Sequence, residues 1–333
     1  MSLATLIANA VGSRRATAES VSSPNGTEPD LSAAPPDSRR LIRDGRYCQV
    51  LAHPESVVFD EVSTRCAWQM LEHKMAFVPA GRVVLDCPWV SCHDGVFTIE
   101  SVQGEAISVA EMYLDRHCVT NAQYARFVDD GGYQDPQYWP AEMLPLLLRF
   151  VDTTDHQGPR FWIDGRPPQD LLNHPVVGIC WHEANAYARW AGKRLPSALQ
   201  WQHAASWFDQ SDPADSCRYP WGHAFEPQRA NLWSSGQRQT VAVDAFADGD
   251  TPNGIAQLIG NVWEWTDTEL TFEADAQTSV RGNETLAEVR GGAFDTYFAS
   301  QATCRFRSGH PMTYRAANVG FRCCLESAAL PVA

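Results

Sequence analysis

The segment Arg290–Cys324 concentrates side chains that can do chemistry. It holds three of the ten cysteines, five arginines and one histidine, His310. Cysteine thiolates are soft ligands that suit Cu(I). Arginines bind carboxylates through two parallel hydrogen bonds. The segment is therefore a candidate either for a metal site or for a groove that binds an anionic or peptide ligand.

The remaining cysteines are spread through a long chain without a regular framework. Such usage is typical of reduced core residues rather than disulfides. These residues are Cys48, Cys66, Cys87, Cys92, Cys118, Cys180 and Cys217.

The composition favours a globular chain with an acidic surface. The chain has 333 residues, 44% of them hydrophobic, so it can bury a sizeable core. Its net charge of -14 opposes binding to a phosphate backbone, and no nucleic acid partner is expected. No run of about 20 apolar residues can span a bilayer. The first residues reverse the charge-then-apolar order of a secretion signal, so a cytoplasmic location is predicted.

Four regions follow from the change of composition along the chain. Residues 1–46 are rich in Ser, Ala, Pro and charge, cannot offset their ordering entropy, and are predicted to form a flexible leader. Residues 47–74 are predicted to be an extension that packs on the domain. Residues 75–325 are predicted to be the domain itself, and residues 326–333 a tail.

Three helices are indicated by their caps and apolar spacing. Thr120 and Ser197 each open a capping box, and WHEANAYARW from Trp181 has helical periodicity. Short β-like runs follow, in PWG, VAVDAF, NVWEWT and EVRGGAF. Early helices and late short strands indicate an α+β domain with long loops and little regular secondary structure.

An ordered set of motifs resembles one known family. The motifs are MAFVPAG, VTNAQYARFV, HPVVGICWHEANAYARWAGKRLPSALQWQHAA, YPWG, ANLW, NGIAQLIGNVWEW, VRGGAF and NVGFRC. Together they resemble the formylglycine-generating enzyme family, also called the sulfatase-modifying factor family, over about residues 75–325. The resemblance implies the C-type-lectin-like fold of that family. The stretches DGGYQDPQYW and GPRFWIDG look most like its bacterial branches, which include iron sulfoxide synthases.

Family membership does not determine function, because this fold carries several kinds of site. The family includes copper enzymes that oxidise a sulfatase cysteine to formylglycine, iron sulfoxide synthases, a pyoverdine-maturation protein and variable ligand-binding proteins. The site residues must therefore decide among these functions.

The copper chemistry of the family requires two cysteines, five residues apart, just after the Gly-Gly turn. When the positions are counted back from NVGFR, they fall on Phe294 and Ala299. Neither side chain can bind copper, so copper is not expected as a cofactor.

Two other cysteines match structural positions of the family. Cys304 and Cys323 correspond to cysteines that form disulfides in the animal enzyme, and the partner positions here are Ala205 and Ala188. The resemblance therefore implies that both thiols are free and serve packing rather than chemistry.

Iron remains undecided at the level of sequence. The sulfoxide synthases take their iron from a His-x-x-x-His-x-Glu motif on a separate domain, and no such spacing occurs here. A histidine trio assembled from distant loops is the alternative. His310, in the loop RSGHPMTYR, would border the active groove of the family, although a solvent-exposed or capping histidine fits the same position.

Calcium is the one cofactor that the resemblance favours. In the family, one ion is held by an Asn side chain and the next carbonyl, which correspond to Asn231 and Leu232. Ser235 stands where that site requires an Asp. The second site would be formed by Gln257, Gly260, Val262 and Glu264, with the neutral Gln257 lowering the charge that hard Ca²⁺ prefers. The alternative makes Glu264 a hydrogen-bonded residue of a buried strand.

The segment around residues 294–315 is the candidate ligand groove. Its arginines either bridge carboxylates and loop carbonyls or grip an anionic or peptide ligand beside aromatic rings. The candidate groove residues are Tyr297, Arg305, Phe306, Arg307, His310 and Tyr314.

These observations predict a protein without copper chemistry that binds a small molecule or peptide, as an accessory or maturation factor. A non-heme metal-dependent oxidoreductase acting on a small molecule or peptide is the alternative. A third possibility is an adaptor whose leader tethers it to a larger protein complex.

Overall fold

The computed structural model describes residues 28–51, 59–93, 96–208, 216–270, 273–274 and 285–330. Short helices and three small sheets are joined by long loops in this part of the chain. The predicted α+β class with little regular secondary structure is therefore confirmed.

A layer of three helices precedes the first strand. These helices are α1 (Pro36–Arg43), α2 (Tyr47–Leu51) and α3 (Glu61–Lys74). Asp60 caps α3 by accepting a hydrogen bond from the amide of Ser63 at 2.7 Å. Their apolar faces share one core cluster with Leu325 and Leu330 from the end of the chain.

This layer corrects two of the predicted regions. Residues 36–43 are helical, and Ile42 is buried, so the part of the proposed leader from about residue 34 packs on the domain. Ala34, Tyr47 and Leu330 belong to the same cluster, so the C-terminal segment up to Leu330 also packs. The prediction of a flexible leader assumed that this segment buries too little apolar surface to offset the entropy lost on ordering. Burial of these few apolar side chains supplies that free energy. Residues 1–27 and 331–333 lie outside the described residues.

A buried polar contact ties the helical layer to the domain. The ammonium group of Lys193 donates to the hydroxyl of Tyr47 at 2.7 Å and to the carboxylate of Asp115 at 2.6 Å. Both side chains of the Lys193–Asp115 ion pair are close to fully buried. Since a buried charge requires a partner, this contact fixes the position of α2 against the domain.

Three sheets build the domain. The first contains β1 (Met75–Val78), β4 (Met112–Asp115) and β10 (Cys324–Glu326), with β4 in the middle and antiparallel to both. The second is a long hairpin of β2 (Gly81–His93) and β3 (Val96–Val109), with the short β6 (Glu273–Ala274) parallel to β2. The third joins β5 (Trp263–Glu269), β7 (Leu286–Arg290), β8 (Ser308–Pro311) and β9 (Val319–Gly320) in the order β8-β7-β5-β9.

The three helices expected from the caps and apolar spacing are confirmed. They are α4 (Asn121–Asp129), α5 (Trp181–Trp190) and α6 (Ala198–Ser206). Thr120 and Ser197 form complete capping boxes with Gln123 and Gln200. A central cluster of aromatic residues buries one face of α4 and of α5 against the third sheet.

Two of the four expected strand runs are confirmed and two are wrong. NVWEWT overlaps the first half of β5, and EVRGGAF begins with the last residues of β7. PWG is a tight turn in which Tyr219 and Gly222 bond each other. VAVDAF forms turns, because Val243 bonds the carbonyl of Asn173 in a loop and Phe246 adopts a left-handed backbone, with φ 61°. β-branched composition cannot distinguish a strand from a loop that is held by other loops.

Within the described residues, no helix combines the length and apolar character needed to cross a bilayer.

Candidate functional site

The two positions that correspond to copper ligands lie on the loop after β7. Phe294 is half-buried, and its amide donates to the carbonyl of Asn261 at 3.1 Å. Ala299 is half-buried and opens a short 3-10 turn, Ala299–Gln301. A phenyl ring and a methyl group offer no donor atoms to a metal ion. The copper chemistry of the family therefore has no ligands at these two positions.

An exposed aromatic cluster lies between and beside these two positions. Tyr297 and Phe298 are 69% and 61% exposed, and Trp233 is 41% exposed. The ring centroids of Trp233 and Tyr297 are 6.1 Å apart, and those of Tyr297 and Phe298 are 5.2 Å apart. The Arg238 guanidinium lies over the Trp233 ring, 3.2 Å from its centroid. We call Trp233, Tyr297, Phe298 and Arg238 the aromatic surface.

The arginines of the predicted groove are engaged with carboxylates. Arg305 pairs with Asp86 at 2.7 Å. Arg307 and Arg290 pair with the two oxygens of the fully buried Glu288, at 2.7 and 2.9 Å. These contacts agree with the alternative in which the arginines bind carboxylates of the protein itself. A ligand-binding role for Arg305 or Arg307 stays a prediction.

His310 and Tyr314 form a separate stacked pair. Their ring centroids are 4.6 Å apart, and the His310 ring also meets Trp265 at 6.2 Å. Burial lowers the pKa of His310 below its usual range, so the ring is neutral at pH 7. Phe306 packs on Trp263 with centroids 6.0 Å apart. These rings have no described contact with Tyr297, so the structure does not bring the predicted groove residues together into one site.

Glu264 lies where the second calcium ion was expected. Both of its carboxylate oxygens accept from the Arg322 guanidinium at 2.7 Å. The Trp201 indole donates to one oxygen at 2.8 Å, and the Cys118 thiol donates to the other at 3.4 Å. Burial lowers the pKa of Arg322, but the charge of Glu264 outweighs it and raises that pKa above its usual range. The carboxylate charge is thus compensated, and the adjacent guanidinium would repel a cation.

The other calcium positions are linked by neutral amides. Asn261 donates to the side-chain oxygen of Gln257 at 2.7 Å and accepts from Asn231 at 3.2 Å. The side-chain oxygen of Asn231 accepts from the Ser235 hydroxyl at 2.8 Å. Gln257 also donates to the carbonyls of Ala242 and Ala245. Oxygen atoms already occupied by hydrogen bonds, without a free carboxylate, do not fit Ca²⁺, which prefers several charged oxygen ligands. We call this set the amide network.

The backbone of the loop at Asn231 is in direct contact with the backbone of the loop at Gly260 and Asn261. A Cβ atom at Gly260 would lie 2.6 Å from the carbonyl oxygen of Asn231, and Gly260 has φ +84°. The amide of Asn261 bonds that same carbonyl at 2.8 Å. The loops therefore touch through backbone atoms and side-chain amides. Leu232 and Val262 are buried beside them and stay predicted calcium ligands only through the resemblance.

Among the residues that the structure describes, no group of three or more His, Cys, Asp or Glu is placed to hold a metal ion. The histidine trio considered from the sequence therefore does not occur within that part of the chain.

Comparison with protein families gives a match over most of the chain. The model of the sulfatase-modifying factor enzyme 1-like domain matches residues 59–327. The chain belongs to this family. The predicted relationship to the sulfatase-modifying factor family is confirmed, and the match extends upstream of residue 75 into α3.

Individual relatives carry different names. The chain is 30% identical over 312 residues to the formylglycine-generating enzyme of Thermomonospora curvata, covering 80% of this chain and 98% of that protein. It is 31% identical over 218 residues to hercynine oxygenase of Mycolicibacterium smegmatis, covering 58% of this chain. This chain spans about half of that oxygenase, 48% of its length.

A solved structure agrees with the fold. The structure of PvdO from Pseudomonas aeruginosa superposes with a TM-score of 0.52 over 76% of this chain and 94% of PvdO. The two sequences are 19% identical, so the likeness concerns the fold alone.

In this sulfatase-modifying factor family member, the eight cysteines whose side chains are described are buried and form no disulfide. The thiol of Cys304 lies 3.9 Å from the carbonyl oxygen of Ala205, one of the two alanines that replace a disulfide partner. Burial raises the pKa of Cys304 and Cys323 far above the usual range. A thiol held in its neutral form is a poor nucleophile and metal ligand, as expected of packing residues.

The aromatic surface was largely missed by sequence reasoning. Only Tyr297 was expected near the groove, whereas Trp233, Phe298 and Arg238 were not. Trp233 lies in the ANLW motif, and a family tryptophan is typical of core packing. Its exposure depends on the path of two loops that meet only in the folded chain.

Calcium should leave the thermal stability of this family member unchanged. An ion bound at a Kd one hundredth of its concentration would stabilise the fold by about 2.7 kcal/mol. That gain corresponds to a rise in Tm of several degrees. Differential scanning calorimetry in chelator and in excess Ca²⁺ should instead give the same Tm within about 1 °C. A rise of several degrees that disappears in Gln257→Ala would show that the amide network does bind the ion.

Proposed function

We propose that the protein binds a peptide at the aromatic surface and has no formylglycine-generating activity, serving as an accessory or maturation factor. The observation that carries this proposal is the replacement of both copper-ligand positions by Phe294 and Ala299. The residues between them, Tyr297 and Phe298, project into solvent. The position that holds the metal in copper enzymes of the family thus carries a binding surface here.

The chemistry of the aromatic surface favours a peptide ligand. When a ligand binds, exposed tyrosine and tryptophan side chains can bury a large surface area at a low cost in conformational entropy. These residue types are therefore enriched at recognition sites. Arg238 adds a cation that can pair with an acidic side chain or a carboxylate. We infer a peptide that contains at least one large apolar side chain next to an acidic group.

The names of the relatives show that formylglycine-generating activity varies within the family. One relative, from Thermomonospora curvata, is called a formylglycine-generating enzyme, and this chain covers 98% of its length. A protein called inactive C-alpha-formylglycine-generating enzyme 2, from Bos taurus, is 32% identical over 165 residues, covering 46% of this chain and 51% of that protein. Loss of the activity named by the family is thus recorded in the name of one relative.

A metal-dependent oxidoreductase is the second candidate, favoured by the relatives named hercynine oxygenase. Metal analysis of protein purified without chelator separates the two candidates. Stoichiometric iron that is lost together with an activity would establish the oxidoreductase. The adaptor function rests on the leader, of which residues 1–27 lie outside the described residues.

The activity part of the proposal is tested with a peptide carrying the sulfatase cysteine motif. Copper-loaded protein and oxygen should leave its mass unchanged, whereas a formylglycine-generating enzyme run in parallel should convert the cysteine. Any enzyme-dependent conversion would overturn the proposal.

The binding part is tested by selecting peptides from a random display library on the purified protein. Selected peptides should carry an aromatic or large aliphatic residue, and their affinity should fall at least about tenfold, or 1.4 kcal/mol, in Tyr297→Ser/Phe298→Ser. Ile107→Ser is the matched control, because Ile107 is an apolar residue on β3 that is 45% exposed and belongs to neither proposed site. Equal loss in both variants, or no selection at all, would contradict binding at the aromatic surface.

A further inference from the structure

An open pocket of about 300 Å³ lies outside the aromatic surface. Its walls come from the end of the 3-10 helix Ala141–Arg149, the loop that follows it, and the loop between β8 and β9. This volume is at the lower end of those of small-ligand sites. The lining residues are Arg149, Val151, Asp152, Thr153, Arg160 and Arg315.

The pocket presents two unpaired guanidinium groups. Arg149 and Arg160 are exposed, and no ion pair or side-chain hydrogen bond engages either of them in the described part of the chain. The Arg160 guanidinium lies 5.9 Å from the centroid of the Phe161 ring. The two arginines line the same pocket of a chain whose net charge is -14, and neither has an acidic partner in the described part of the chain. They are available to an anionic ligand.

The acidic residue of the pocket, Asp152, accepts hydrogen bonds from residues of its own loop. One oxygen of Asp152 accepts from the amide and hydroxyl of Thr154, at 2.7 and 2.8 Å, and from the amide of His156 at 3.1 Å. Its other oxygen accepts from the amide of Gly165 at 2.7 Å. These bonds shape the loop, and Asp152 offsets only one of the two free positive charges. The site retains a net positive charge that suits a single carboxylate.

Arg315 forms the rigid base of the pocket. Its guanidinium donates to the carbonyls of Val151 and Gly158, at 2.9 and 2.5 Å, and to the buried Glu183 at 3.0 Å. The amide of Arg160 bonds the carbonyl of Gly178 at 2.8 Å, which fixes the opposite wall. Arg315 is neutralised by Glu183, so it positions the pocket rather than supplying free charge. A site fixed in this way needs little reorganisation on binding.

Each of the two free arginines has a large exposed apolar residue next to it in the sequence. Leu148 precedes Arg149 and is 81% exposed, and Phe161 follows Arg160 and is 42% exposed. Ile163, on the same loop, is 59% exposed. Exposed apolar side chains beside unpaired cations are complementary to a ligand that joins a carboxylate to an apolar body.

We propose that Arg149 and Arg160 bind the carboxylate of an amphiphilic ligand whose apolar part lies on Leu148 and Phe161. The ligand is either a free aryl or alkyl carboxylic acid or the C-terminal residue of a peptide, because both present the same chemistry. This site uses none of the residues of the aromatic surface and does not depend on the function proposed for it.

Isothermal titration calorimetry at low salt tests the site with three probes. They are 3-phenylpropionate, a tripeptide with a C-terminal phenylalanine, and the same tripeptide as its C-terminal amide. At least one of the two carboxylates should bind, and the amide should bind at least about tenfold more weakly. Binding should weaken as salt is added, because the arginines are exposed. Preference between the two carboxylates identifies the source of the ligand.

Variants distinguish this site from other surfaces. Arg149→Gln/Arg160→Gln should lower the affinity at least about tenfold, and Arg166→Gln should leave it unchanged. Arg166 is the matched control because it lies nearby in sequence and is 61% exposed in a surface pair with Asp129. Tyr297→Ser/Phe298→Ser should also leave the affinity unchanged. No binding of either carboxylate, equal binding of the amide, or equal affinity in the double variant would overturn the proposal.

Discussion

Glu264→Gln is expected to lower the free energy of unfolding by about 3–5 kcal/mol, the cost of breaking a buried ion pair. The substitution keeps the size of the side chain and removes its charge. The Arg322 guanidinium, which is fully buried, would then lack a carboxylate partner. Urea denaturation followed by tryptophan fluorescence measures the change directly.

An exposed ion pair provides the control for this experiment. Glu226 pairs with Arg229, and both side chains are about one third exposed. Glu226→Gln should cost less than about 1 kcal/mol, because water and salt screen such pairs. If Glu264→Gln cost no more than Glu226→Gln, the buried pair would not be a main stabilising contact of the loops. If calcium stabilised the unchanged protein but not Glu264→Gln, Glu264 would be a calcium ligand after all.

Gly291→Ala is expected to destabilise the fold by roughly 2–5 kcal/mol, from two separate effects. Gly291 has φ +97°, a conformation that costs an alanine about 1–2 kcal/mol. A Cβ atom there would also lie 2.5 Å from the carbonyl oxygen of Leu258, and relieving such overlap costs about 1–3 kcal/mol. The drop in Tm, measured by calorimetry, should reflect both effects.

Gly236 separates the two effects. It has φ +77°, but a Cβ atom there would meet nothing within 4 Å. Gly236→Ala should therefore show the conformational cost of about 1–2 kcal/mol alone. Equal losses at both positions would mean that the loop around Leu258 can move away, and that Gly291 is needed for its backbone conformation rather than for the close approach of the two loops.

Local features of the fold could be predicted from the sequence, because their causes are local. The capping boxes at Thr120 and Ser197 involve residues three apart, and the helices begin where they were expected. The long hairpin β2–β3 and the strand order of the third sheet depend on pairing between distant segments. The helix α1 was missed, because its few apolar residues are buried by partners from α3 and the chain end.

The candidate site could be predicted only in part. Counting residues from NVGFR was enough to exclude cysteines at positions 294 and 299. The partners of the arginines could not be predicted, since Asp86 is 219 residues away from Arg305. The exposure of Trp233 and the unpaired state of Arg149 and Arg160 likewise depend on neighbours that are remote in sequence. The sequence shows how many arginines the chain has, but only the folded structure shows which of them have no ion-pair partner.

The buried thiols have a practical consequence. In the described part of the chain, eight cysteines from Cys48 to Cys324 are buried and form no disulfide. Burial raises the pKa of Cys48 and of Cys324 to about 12, so each thiol stays protonated and unreactive in the closed protein. Alkylation at each position then proceeds only as fast as local opening allows. The rate of alkylation of each cysteine, measured by mass spectrometry, therefore reports how often its part of the fold opens. Similar rates at several cysteines would indicate parts that open together, and different rates would indicate parts that open independently.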